Sequence, residues 1–227
     1  MKGVIKMLGW MTLCSILING AAAGLFYYEL QKHREKYPAR QDGKPPRAAF
    51  IYSAFMIVVA VGLALFITGF YSENTFLFTL KRVVMLALLW PIAYTDFTAY
   101  RIPNLFIAAG LAARALVLAA EFFWERDTLL AYLITEVIAS AVMFLVAALC
   151  AFLIKNSIGG GDMKLFVVMG LLLGLQGTWG AIFLSLIVSF IVAVVLLATR
   201  KKSRKDAIPF GPALTVGTYL SIFLTGM

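Results

Sequence analysis

Long apolar runs separated by short polar segments dominate this chain from its first residues to its last. A helix that crosses a membrane needs roughly 20 apolar residues, and about eight runs approach that length. We predict membrane spans near residues 7–28, 48–70, 76–96, 104–123, 129–153, 163–176, 178–199 and 208–226. The pattern divides the chain into residues 1–75, with two helices and a polar loop, and residues 76–227, a core of about six helices.

Composition supports an all-α, polytopic membrane helix bundle. Hydrophobic residues make up 62% of the 227 residues and charged residues 14%, whereas a soluble domain averages about 45–50% and about 25%. This excess of apolar surface excludes a soluble enzyme and a disordered chain. Two cysteines and one histidine provide neither a disulfide framework nor a metal centre, so we expect no metal and no cofactor.

The formal net charge of +9 is concentrated in a few loops. Such a charge could suggest nucleic acid, but the hydropathy favours a lipid bilayer as the partner, with basic loops on the cytoplasmic side. Counting crossings places four basic loops on one side and both termini on the other. Lys81 and Arg82 are exceptions early in the third span, and we expect them to snorkel to the outer surface.

Two aspartates, Asp96 and Asp162, stand at the ends of predicted spans. Two crossings separate them, so both carboxylates are predicted at the cytoplasmic face of the membrane. Ionisable groups at that depth are costly and are candidates for function. Taken alone, an aspartate at a helix end is usually a cap or a solvated group at the membrane boundary.

A facing pair of carboxylates is suited to peptide hydrolysis by an activated water. Two carboxylates about 3 Å apart cannot both ionise, so one keeps a proton. The charged partner then accepts a proton from water while the protonated partner polarises the scissile carbonyl. Three glycines before Asp162 allow close backbone approach, and Gly170 and Gly174 have the simpler interpretation of helix-packing positions.

Three sequence blocks resemble the type IV prepilin peptidases. The first contains Asp96 and continues through Ile102, Pro103 and Asn104. The second is a G-x-G-D block with a trailing Lys-Leu pair, and the third is a proline-glycine block before the last span. Their residues are Gly159, Gly160, Gly161, Asp162, Met163, Lys164 and Leu165, and then Ile208, Pro209, Phe210, Gly211, Pro212, Ala213 and Leu214.

The resemblance implies a multi-pass aspartic endopeptidase of the cytoplasmic (inner) membrane. Its substrates would be prepilins or pseudopilins, cut after a short basic leader, with Asp96 and Asp162 as the catalytic pair. The residues expected to shape the site are Gly159, Gly160, Gly161, Lys164, Pro103, Asn104, Pro209, Phe210, Gly211 and Pro212. Lys164 and Arg101 could also anchor at lipid headgroups.

Bifunctional relatives carry a methyltransferase insert near the N-terminus, often with paired CxxC motifs. The corresponding segment here, residues 29–47, is 19 residues long and has no cysteine. The resemblance therefore implies a peptidase without methyltransferase activity.

Three alternatives remain open. A presenilin-like intramembrane protease shares G-x-G-D and a Pro-Ala-Leu triplet, here residues 212–214, but its pattern has Tyr directly before the first aspartate, where this chain has Thr95. An archaeal preflagellin peptidase is similar in both motifs and chemistry. A transporter could also use glycine breaks and buried charges, although we find no inverted repeat.

The fourth and fifth spans each contain a charged residue, Arg114 and Glu136. A lone charge near the bilayer centre costs about 2.5–3.5 kcal/mol, so each should have a partner. Both lie roughly 10–12 Å below the outer surface by helical rise, and a short loop makes their helices antiparallel neighbours. We predict a buried ion pair with a structural role and no part in hydrolysis, rather than an Arg114 that snorkels.

Overall fold

A computed structural model describes residues 2–37, 45–153, 158–203 and 206–227, with side chains described from residue 5 onward. Several basic residues used in the loop assignment lie outside the described residues: Arg40, Lys44, Lys155, Arg204 and Lys205. The described part of the chain forms seven helices. They are α1 (Lys2–Lys32), α2 (Arg47–Phe70), α3 (Phe76–Ala99), α4 (Asn104–Trp124), α5 (Arg126–Leu153), α6 (Gly160–Ala198) and α7 (Gly211–Thr225).

The predicted all-α membrane bundle is confirmed, with a small difference in the helix count. Among the described residues, six helices are long and apolar enough to cross a membrane, and α7 is a shorter apolar helix of 15 residues. The chain is therefore a multi-pass membrane protein. The spans predicted near 163–176 and 178–199 both fall within α6, which consists of two helices joined at Gly174.

A sharp reversal at Gly174 explains this difference. Gly174 has φ 69° and ψ −174°, a conformation that L side chains rarely adopt. The Thr178 hydroxyl oxygen lies 3.3 Å from the Met169 carbonyl oxygen, although residues nine apart in a straight helix are separated by about 13 Å. Gly174 is thus a turn between two arms, residues 160–173 and 175–198, and not simply the packing position that we expected.

Helix α3 is the centre of the bundle. In its most apolar 18-residue stretch, 83% of the residues are buried, whereas this share does not exceed 33% in any other candidate span. It contacts α1, α2, α4, α6 and α7, and its fully buried side chains include Trp90 and Met85. Since Asp96 lies near the end of α3, the most enclosed helix carries the first candidate catalytic residue.

Loops with basic residues meet at the same end of the bundle as the two aspartates. Lys202, after α6, donates to the Tyr100 hydroxyl, after α3, at 2.9 Å. Lys164 lies in the first turns of α6 and contacts Asn104 at the start of α4. We call this the aspartate end, and the opposite end, near Gly174, the far end.

Arg114 and Glu136 lie together in a buried ionic cluster that also contains Lys81 and Glu121. Arg114 Nε donates to Glu136 Oε2 at 2.9 Å. Lys81 Nζ pairs with both glutamates and lies 2.8 Å from Glu121 Oε1, while Arg114 NH1 lies 2.9 Å from Glu121 Oε2. All four residues are at most 5% exposed.

The expectation that Lys81 and Arg82 snorkel to the surface is therefore wrong. Both are buried, at 1% and 3% exposure. Lys81 is held by two carboxylates, which repay the cost of removing its charge from water. Arg82 is held by backbone carbonyls of α3 and α6.

Replacing Arg114 by alanine is expected to destabilise the protein by about 3–5 kcal/mol, because two buried glutamates would then share only Lys81. Thermal unfolding in detergent, followed by circular dichroism, measures this effect. The matched control is Arg126→Ala, since Arg126 is exposed and rests on the Phe122 ring at 4.5 Å. Equal melting temperatures for the two variants would contradict a stabilising cluster.

Candidate active site

The first aspartate is held where α3 meets the start of α7. Asp96 is 8% exposed, and its Oδ2 accepts a hydrogen bond from the Gly211 backbone N–H at 2.7 Å. The Phe210 backbone also hydrogen-bonds to this carboxylate. Because these groups form the N-terminus of α7, unpaired amides and the positive end of the helix dipole face Asp96.

The second aspartate lies in the first turn of α6. Gly159 caps this helix with φ −72° and ψ 147°. The Gly159 backbone hydrogen-bonds to the half-buried Asp162 carboxylate. A Cβ atom on Gly159 would lie 3.0 Å from Asp162 Oδ2, so a side chain at position 159 would crowd the carboxylate.

The start of α6 packs directly against the segment that follows Asp96. A Cβ atom on Gly161 would lie 3.0 Å from Ile102 Cβ and 3.6 Å from the Ile102 carbonyl oxygen. Lys164 Nζ donates to Asn104 Oδ1 at 3.1 Å. These contacts bring Asp162 close enough to Asp96 for the two carboxylates to interact electrostatically.

The beginning of α7 closes the same site from another side. A Cβ atom on Gly211 would lie 2.8 Å from Asp96 Cβ and 2.9 Å from its Oδ2. The Phe210 ring meets the Phe166 ring edge-on, with centroids 6.3 Å apart. Pro209 and Pro212 line an apolar cavity of about 440 Å³ together with Phe97, the neighbour of Asp96.

For the other residues singled out by the sequence, the described contacts are with groups other than the two carboxylates. A Cβ on Gly160 would meet no atom within 4 Å. Pro103 caps the start of α4, and its carbonyl accepts from the Phe106 N–H. Arg101 lies within electrostatic reach of Tyr37, whose pKa is raised well above its usual range by burial and by the charge of Glu29.

Sequence reasoning missed the backbone donors to Asp96. The third sequence block was expected only to shape the start of the last helix, whereas the Gly211 N–H donates a hydrogen bond to the Asp96 carboxylate. The proline-glycine block was the available signal, because proline in the first turn marks a helix N-terminus. Which side chain that N-terminus faces depends on contacts across 115 residues of sequence.

The arrangement of the two carboxylates is suited to general acid-base catalysis of hydrolysis. Both carboxylates lie at one end of the bundle, but their surroundings differ. Asp96 accepts amide hydrogen bonds at the N-terminus of α7, whereas Asp162 lies in the first turn of α6, next to its glycine cap. Such a pair can hold one proton between its members and pass it through a bound water.

Comparisons with known proteins agree with this geometry. Residues 83–197, about half of the chain, match the model of the type IV leader peptidase family. The chain is 28% identical over 178 residues to a prepilin leader peptidase/N-methyltransferase of Bacillus subtilis (strain 168). The aligned part covers 77% of this chain and 66% of that relative, just under two thirds of its length. No solved structure matches the chain significantly.

Proposed function

Because this chain belongs to the type IV leader peptidase family, we propose that it is a membrane aspartic endopeptidase that removes the short leader of prepilin-like proteins. Asp96 and Asp162 are its catalytic residues. The observation that carries the proposal is the placement of both carboxylates at one end of the bundle, where Gly161, next to Asp162, packs on Ile102, six residues after Asp96. That end is assigned to the cytoplasmic face of the inner membrane, where the basic loops favour it.

The two aspartates have different roles in this mechanism. Amide donors at the N-terminus of α7 favour the charged form of Asp96, so Asp96 accepts the proton of the attacking water. Asp162 carries the shared proton and donates a hydrogen bond to the scissile carbonyl. As the tetrahedral intermediate collapses, the proton on Asp96 passes to the leaving amine.

In the proposed complex, the hydrophobic segment of the substrate binds in the apolar cavity beside Asp96. Phe97, Pro209 and Pro212 line this cavity, and Lys201 and Lys202 lie at its border. An apolar segment bound there would bring the bond that precedes it towards the carboxylates. The leader is then left at the aspartate end, outside the apolar layer.

We further propose that the enzyme lacks methyltransferase activity. The relative's name includes N-methyltransferase, but the segment between α1 and α2 in this chain is short and has no cysteine. Incubation of the cleaved product with S-adenosylmethionine should leave its mass unchanged. A product heavier by one methyl group would overturn this part of the proposal.

The test of the main proposal is incubation of the purified protein with a synthetic or purified prepilin-like substrate. Mass spectrometry and N-terminal sequencing should locate one cut just before the hydrophobic segment. A cut inside that segment would favour the presenilin-like alternative. Ion or solute flux in vesicles without any cleavage would favour the transporter.

A further inference from the structure

The first arm of α6, residues 160–173, ends inside the bundle. Its 14 residues are about 21 Å long, whereas the hydrocarbon core of a bilayer is about 30 Å thick. The last carbonyls of a helix have no partner within the helix. In a membrane such carbonyls must be satisfied by other protein groups, because water is scarce at that depth.

Two buried arginines supply these partners. Arg114 Nε donates to the Leu171 carbonyl at 3.0 Å. Arg82 NH1 donates to the Leu172 carbonyl at 3.3 Å, and NH2 donates to the Leu173 carbonyl at 3.2 Å. Three successive carbonyls are thus capped directly before the reversal at Gly174.

Arg82 differs from its neighbours in the ionic cluster. Lys81 and Arg114 pair with Glu121 and Glu136. Within the described residues, no carboxylate lies at ion-pair distance from Arg82. Its remaining contacts are the Phe78 carbonyl at 3.2 Å and the Phe78 ring at 3.3 Å, so the guanidinium is fixed to α3 and committed to the α6 carbonyls.

Arg82 therefore connects the two helices that carry the aspartates, at the end away from them. It lies 14 residues before Asp96 on α3, and the carbonyls that it binds lie 10 and 11 residues after Asp162. We infer that Arg82 is a positioning residue that sets the height of Asp162 relative to Asp96 along the bundle axis. The assignment of the aspartates as catalytic rests on the proposed function, but the positional claim does not.

Without Arg82 the last two carbonyls of the arm lose their bonds to the guanidinium, and of the three capped carbonyls only that of Leu171 keeps its arginine partner. A cavity of about 340 Å³ borders Arg82, Leu173 and Gly174, which leaves room for the last turn to unwind or shift. The contacts at the aspartate end, Gly161 against Ile102 and Lys164 with Asn104, restrain the arm sideways. A misplacement of about 1 Å at a reacting group can reduce the rate by about 100-fold.

The kinetic test compares Arg82→Gln with Asn19→Ala, a structural control. Asn19 is buried and accepts from Trp90 Nε1 on the same helix α3 at 3.3 Å, but it belongs to α1 and not to the arm. Both variants should lower thermal stability. Arg82→Gln alone should reduce kcat of the folded enzyme by about 10–100-fold, with a small change in KM, and should alter the pH profile of kcat as the carboxylates separate. Equal kcat losses in both variants would overturn the inference.

A second measurement does not depend on activity. Spin labels at Phe97, which is exposed, and at Gly160, where a side chain has open space, report the separation of the two helix ends. The background is Cys14→Ser and Cys150→Ser. Pulsed EPR should give one narrow distance distribution in this background and in Asn19→Ala, and a shifted or broader one in Arg82→Gln.

Arg82→Lys covers the case in which Arg82→Gln does not fold, since lysine keeps the charge but cannot hold two carbonyls in a fixed fork. Its distance distribution should also shift or broaden. Unchanged distances in the folded Arg82 variants would overturn the positional claim. A parent protein that cleaves no prepilin-like substrate would refute the proposed function alone, while the distances would still decide the role of Arg82.

Discussion

Replacing either Asp96 or Asp162 by asparagine is expected to reduce leader cleavage by about 10³-fold or more, with expression and membrane insertion unchanged. Asparagine keeps the shape of the side chain but can neither take a proton from water nor hold the shared proton. The two single losses should each be nearly as large as that of the double variant, because the carboxylates act as one unit. Cleavage rates under single-turnover conditions, normalised to folded protein, give the measurement.

The matched control is Asp206→Asn. Asp206 is an exposed carboxylate in the segment between α6 and α7, where it accepts from the Ser203 N–H at 2.7 Å. It should cleave at the parent rate. Near-normal turnover in either Asp96→Asn or Asp162→Asn would refute the two-carboxylate mechanism.

Replacing Gly211 by alanine is expected to lower kcat by about 100-fold. The added Cβ would lie 2.8 Å from Asp96 Cβ and 2.9 Å from its Oδ2, closer than such atoms approach. Either the carboxyl or the start of α7 must move, and the 2.7 Å hydrogen bond from the Gly211 N–H is lost or bent. Steady-state kinetics should show a loss in kcat and also a rise in KM, because Pro209 and Pro212, on either side of Gly211, line the apolar cavity proposed to bind the substrate.

Gly62→Ala is the control for this substitution. Gly62 lies in α2, where an added Cβ would meet no atom within 4 Å. Alanine also has the higher helix propensity, so this variant should keep the parent kcat and a melting temperature at least as high. A Gly211→Ala enzyme with the parent kcat would show that the contact between α7 and Asp96 is unimportant for the reaction.

The sequence by itself predicted the elements and much of the chemistry. Apolar runs long enough to cross a bilayer predicted most of the helices, because the solvent demands such lengths. Counting membrane crossings predicted that Asp96 and Asp162 lie at the same end of the bundle. The similar depths of Arg114 and Glu136 in adjacent helices predicted an ion pair between them, and their side chains lie in ion-pair contact. These inferences use only helical rise and the thickness of the membrane, which are the same for any chain.

Only the tertiary structure decided how polar groups inside the bundle are satisfied. The predicted spans broke at residue 177, within three residues of the reversal at Gly174. Hydropathy did not show that Arg82 and Arg114 bind the carbonyls before that turn. It also assigned Lys81 and Arg82 to the surface, since a buried charge is stable only beside partners from distant helices. The hydrogen bond from Gly211 to Asp96 joins residues far apart in the chain, and such contacts depend on how the helices pack.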